Sequence, residues 1–139
     1  MTRNIPRSFL AVLAGIVFGV GITLATDFVL HRSGIFPPIE QSMSNRLFLL
    51  ATAYRTIYGI LAAWLIAWLA PNRPMFHVMI AGTLGLLVAL LGTIVTWNKG
   101  PAFGPHWYPI ALVVLALPQS WFGAKLHEWL TAPHTPAQA

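Results

Sequence analysis

Two ionisable residues stand inside otherwise apolar runs: Asp27 near the end of Phe9–Leu30, and Arg55 within Leu47–Ala70. Read as membrane helices, for reasons given below, these runs place both groups in hydrocarbon. An ion there is costly, so such residues turn toward neighbouring helices and take partners. Asp27 lies three residues below Leu30, roughly 5 Å, and Arg55 eight residues beyond Leu47, roughly 12 Å from the same face. A snorkelling arginine side chain closes that gap. The expectation is an Asp27–Arg55 ion pair in the outer third of the membrane, with Thr23, Thr52, Tyr54 and Tyr58 as hydrogen-bonding neighbours. Such a pair either locks the first helix to the second or forms a substrate, ion or proton site.

Histidine offers a second chemistry. His31 and His106 would lie near one face, and His77 and His127 near the other. A pair at each face is the arrangement that holds haems axially. All four sit at the ends of the apolar runs, where histidine is common without a ligand. No cofactor and no metal are therefore expected.

Other catalytic patterns are missing from the sequence. Ser8, Ser33, Ser42, Ser44 and Ser120 have neither a G-x-S-x-G context nor an evident His–Asp partner. Glu40 and Glu128 fall at opposite faces, too far apart for a glycosidase-type pair. His106-Trp107 and His127-Glu128 lack zincin spacing. The glycines lie inside apolar runs, not between a strand and a helix as a Walker or Rossmann loop requires. With no cysteine, disulfides, thiolate nucleophiles, iron–sulfur ligation and Cys-based zinc sites are excluded.

The elements that position these groups follow from composition. Only 8% of the 139 residues are charged, against 57% hydrophobic, with a mean hydropathy of +0.70. A soluble domain carries about a quarter charged residues to face water. Lipid must solvate much of this exterior. The net charge of +5 comes from basic residues scattered singly between apolar runs. A nucleic-acid footprint clusters them on one face, so no nucleic-acid partner is expected. The bilayer itself is the first partner named.

Four runs, about 9–30, 47–70, 76–97 and 107–126, each have about 20 residues or more, enough to cross a hydrocarbon core of about 30 Å as α-helices. Strands would be half as long and would alternate polar with apolar residues. The fold class expected is all-α, a transmembrane antiparallel four-helix bundle over 1–130, with a disordered tail at 131–139. Although Arg3 and Arg7 resemble a signal-peptide n-region, the first apolar run exceeds an ordinary h-region, so a retained helix is expected.

The linkers agree with these limits. Ser33–Ser44 contains Gly34, Pro37 and Pro38, and offers Ser42 or Ser44 as a cap for the second helix. Pro71-Asn72-Arg73-Pro74 is a tight turn that makes the second and third helices an antiparallel hairpin. Asn98–His106 holds Gly100, Pro101, Gly104 and Pro105. Phe36-Pro37 and Phe103-Gly104-Pro105 echo one another, the trace a two-hairpin duplication would leave.

With the N-terminus inside, Arg3, Arg7, Arg73 and Lys125 face inward, against Arg32, Arg46 and Lys99 outward. That bias, led by two arginines before the first helix, puts both termini in the cytoplasm. Trp64, Trp68, Trp121 and Trp129 then fall near one interface and Trp97, Trp107 and Tyr108 near the other, an anchoring pattern.

Small residues recur at helical spacing: Gly15, Gly19 and Thr23 in the first run, Gly59, Ala63 and Ala67 in the second, and Gly82, Gly85, Ala89 and Gly92 in the third. They let helix backbones approach closely. Either they close a compact bundle, or Gly15-xxx-Gly19 is a dimerisation face. Pro118 lies mid-run in the fourth helix, where it removes a backbone hydrogen bond and predicts a kink, with Gln119 and Ser120 available to the freed carbonyls.

Several segments together resemble a known group. They are Thr26-Asp27 with His31, Phe36-Pro37-Pro38, Ala53-Tyr54-Arg55, Leu69-Ala70-Pro71 with Arg73-Pro74-Met75 and His77, Trp97-Asn98, and Gly104-Pro105-His106-Trp107-Tyr108-Pro109. The chain resembles small four-helix membrane proteins of bacterial genomes, over nearly its whole length except the tail. The resemblance implies a bacterial inner-membrane setting and carries no reaction, ligand or catalytic residue. It does gather the matching segments at the outer face, where Asp27, His31, Arg55, His106, Trp107 and Tyr108 would converge.

The function expected is that of an accessory, assembly or interaction subunit without catalysis of its own, with a membrane-protein partner or a second copy. Four short helices leave little interior volume, and no soluble domain is present to do chemistry. The competing readings are an oligomeric transporter or channel component lined by Asp27 and Arg55, a haem- or quinone-binding redox subunit, and a membrane enzyme using the outer polar cluster.

Overall fold

The computed structural model describes residues 4–133, which form four α-helices packed against one another and, among those residues, no strand. Arg3, which contributes to the charge bias, and 134–139 of the tail lie outside the described residues. The helices are α1 (Ile5–Arg32), α2 (Asn45–Leu69), α3 (Pro74–Thr96) and α4 (Trp107–Thr131). The shortest has 23 residues, about 35 Å at helical rise. All four are long and apolar enough to cross a membrane.

Local chemistry sets the ends. Pro6 occupies the first turn of α1, where its missing N–H costs nothing. The helix stops at Gly34, whose φ of +78° lies in the left-handed region. The Phe36 N–H then donates to the Leu30 carbonyl at 2.9 Å and folds the loop back. Ser44 stands at the start of α2, yet its side chain makes no cap bond. Its carbonyl accepts instead from the Leu47 and Phe48 N–H groups. Ala70 is extended before Pro71, as the proline ring demands. Arg73, at φ +41°, turns the chain into α3 from a conformation that side chains seldom adopt. A single 3-10 turn, Pro101–Phe103, precedes α4 between Gly100 and Gly104, both at positive φ.

The helices associate in the order α1, α2, α4, α3. The turn at Pro71 holds α2 and α3 adjacent, but α4 is the main neighbour of both. Small residues explain this. A Cβ on Gly123 of α4 would lie 2.5 Å from Ala63 Cβ, and one on Gly82 of α3 would lie 2.7 Å from Ser120 Oγ. On the other side, a Cβ on Gly15 would strike Ile66 of α2, and one on Gly19 would come 3.1 Å from Ala62. Gly15 and Gly19 are thus occupied within the chain, which removes them as a dimerisation face. Gly59 seats Gln119, 2.5 Å from where its Cβ would stand. Gly85 and Gly92 correct the packing reading: nothing lies within 4 Å of either position, so neither closes a helix contact here. They stand seven residues apart where Gly15 and Gly19 stand four, and Gly85 opens onto the space between α1 and α3 instead of a helix contact.

The core is small, built on Ala63, Ile66, Ala67, Val78 and Ala124. Large apolar residues lie outside instead, among them Phe9, Val17, Phe28, Val88 and Ile94. An apolar exterior of that extent suits lipid or a covering partner. Pro118 sits within an unbroken α4, and Ser120 donates to the Ala116 carbonyl at 2.8 Å, so its hydroxyl does not serve the carbonyl that Pro118 frees. Trp64 departs from the anchoring pattern, because its indole nitrogen is buried without a partner. Phe36 is buried and Phe103 exposed, so the two aromatic–proline loops are built differently.

Candidate functional site

The site is assembled where α1 ends and α2 begins. Asp27 projects from the last turns of α1 toward Tyr54 and Arg55, consecutive residues of α2. Arg55 Nη2 donates to Asp27 Oδ2 at 2.5 Å, and the Tyr54 hydroxyl donates to Asp27 Oδ1. Both carboxylate oxygens are therefore engaged. Just below, Thr26 Oγ1 donates to the Ile22 carbonyl at 2.8 Å. Its one proton is spent there, so the contact with the Tyr58 hydroxyl at 2.9 Å has Tyr58 as donor. Two polar links thus join α1 to α2 within one turn.

His31 braces this group from above. Its Nδ1 lies 2.8 Å from the Asp27 carbonyl, which can only accept, so Nδ1 carries the proton. The ring meets Phe36 edge-on at 5.3 Å. Phe36, Ala51 and Tyr54 form a second buried cluster, against which Tyr58 and Tyr108 pack. Tyr108 also lies 4.9 Å from the Phe48 ring.

His106 and Trp107 belong elsewhere. His106 stacks on Trp97 at 4.0 Å and hydrogen-bonds the Trp97 carbonyl through Nε2 at 3.0 Å. Trp107 reaches the Asn45 side chain at 3.4 Å, a weak contact. The expected outer cluster therefore divides: Asp27, His31, Tyr54, Arg55, Tyr58 and Tyr108 come together, while His106 and Trp107 brace the loop before α4. Phe36 is the member of the first group that hydropathy does not mark, because its run is broken by prolines.

Arg55 has a second surface. Together with Thr23, Gly59, Gly85 and Gln119 it lines a groove of about 490 Å³ between α1 and α3, floored by α2 and α4. The groove exists because α1 and α3 barely touch. A separate pair, Lys125 and Glu128, meets at 2.7 Å at the far end of α4. It is half-open to solvent and contributes little. Among the described residues, no three His, Asp or Glu side chains are grouped to hold a metal.

Fold and site define an all-α chain of four potentially membrane-crossing helices, the first two joined by a half-buried polar group. Neither a family model, a curated protein nor a solved structure matches the chain.

Proposed function

We propose that the chain is a small multi-pass protein of a bacterial inner membrane, with both termini in the cytoplasm, acting as an accessory, assembly or interaction subunit. One observation carries the reading. α1 is held almost entirely by α2, and its opposite face is uncovered along Val17, Gly21, Ala25 and Phe28. No atom comes within 4 Å of a Cβ built on Gly21. A small-residue step flanked by Val and Phe is a surface against which another membrane helix packs closely.

The test is purification of the tagged protein from its native membrane in mild detergent, with mass spectrometry of what accompanies it. The reading expects a stoichiometric membrane-protein partner or a second copy, lost on Gly21→Leu. A monomer without partner, unaffected by Gly21→Leu, would overturn it. Ion or solute flux through reconstituted vesicles, abolished by Asp27→Asn, would favour the oligomeric transporter instead.

A further inference from the structure

The groove between α1 and α3 holds side chains with unused hydrogen-bonding capacity. Arg55 gives Nη2 to Asp27 and keeps 32% of its side chain open. Gln119 and Thr23 line the same groove, and neither side chain makes a hydrogen bond among the described residues. A carboxamide at this depth in hydrocarbon is costly unless something accepts from it. The polar groups gather toward Arg55. The opposite end, at Gly15, Ile66 and Val78, is apolar.

Dimensions decide what fits. From Ile66 to Arg55 the groove follows eleven residues of α2, about 16 Å of helix. A volume of about 490 Å³ over that length is a narrow, laterally open groove with room for one extended hydrocarbon chain. The volume also falls within the range of about 300–1,000 Å³ usual for small-ligand sites. The Asp27–Arg55 pair is already charge-balanced, so a neutral acceptor suits it better than an anion.

We propose that this groove binds a lipid-soluble molecule with one apolar chain and a neutral carbonyl head, the chemistry shared by prenylated quinones and protonated fatty acids. The carbonyl accepts from Gln119 and Arg55, and the chain runs down toward Gly15 and Val78. The inference stands apart from the accessory-subunit reading, since it uses the groove face of α1 and not the outward one.

Native mass spectrometry of the detergent-solubilised protein with decylubiquinone, and separately with palmitic acid, tests it. A one-to-one adduct with either probe is expected, and which probe binds identifies the head. Gly85→Leu enters the groove from a position whose Cβ meets no other atom within 4 Å, and is expected to weaken binding at least tenfold at unchanged Tm. Gly92→Leu, the same change on the same helix outside the groove, should leave binding intact. Gln119→Leu should weaken it severalfold. Absence of an adduct with both probes, or equal binding by Gly85→Leu, would overturn the proposal. So would a change of oligomeric mass in Gly85→Leu, because the groove would then seat a helix.

Discussion

Asp27 of α1 and Arg55 of α2 meet at 2.5 Å, and Tyr54, the residue before Arg55, occupies the other oxygen of the same carboxylate. One carboxylate thus fixes both the register and the rotation of α2 against α1. Neither charge has a second ionic partner among the described residues. Loss of one member leaves the other in hydrocarbon uncompensated, which costs more than loss of both.

Asp27→Leu and Arg55→Leu should each destabilise the protein by about 3 kcal/mol. The double variant should be closer to wild type than either single one, giving a large coupling energy. Reversible unfolding in mixed micelles measures the four corners of this cycle. Additive effects would show that the two side chains act independently.

Glycine positions should sort by what they face. Gly15→Leu collides with Ile66 and should lower stability by about 1–3 kcal/mol. Gly21→Leu and Gly92→Leu point into space that the chain leaves open, and should leave Tm unchanged or slightly raised, since leucine favours helix over glycine. Thermal unfolding of the three variants in one detergent makes the comparison.

Phe36 is 3% exposed although it lies in a loop. Truncation to alanine removes the ring that His31 and Tyr54 pack against, and should cost about 3 kcal/mol. Limited proteolysis should then cut the 33–44 segment faster, while Phe103→Ala, at the exposed aromatic of the second loop, should have little effect.

Arg73 holds a left-handed conformation that costs a side-chain-bearing residue about 1–2 kcal/mol. Glycine adopts it freely but loses more chain entropy on folding. Arg73→Gly should therefore raise stability modestly, by about 0.5–1 kcal/mol. A lower midpoint in denaturant would mean that the guanidinium makes a contact worth more than the strain.

The four helices are legible in the sequence because hydrocarbon sets a minimum length, and each apolar run exceeds it. Their ends are less so. α1 begins at Ile5 and α4 continues to Thr131, because hydropathy marks the stretch suited to lipid whereas the backbone keeps its hydrogen bonds into the polar flanks. Asp27 and Arg55 stand out as isolated charges. Tyr54 is legible as a hydrogen-bonding neighbour of the pair and donates to Asp27, whereas Thr52, expected beside it, donates to the Phe48 carbonyl instead. Gly85 and Gly15 look alike in sequence, and only the order in which the helices pack tells a filled notch from an open one. Gln119 reads as a companion of Pro118, and its place over Gly59 depends on α4 lying against α2.

The central claim, four crossings with both termini in the cytoplasm, is tested most directly by site-specific labelling, for which a chain without cysteine is already suited. Single cysteines at Ser42, Asn72 and Asn98 probe the three connections in turn. In intact cells a membrane-impermeant maleimide should label Ser42→Cys and Asn98→Cys, and should reach Asn72→Cys only after permeabilisation. Labelling of Asn72→Cys in intact cells, or failure of either Ser42→Cys or Asn98→Cys to label there, would contradict it.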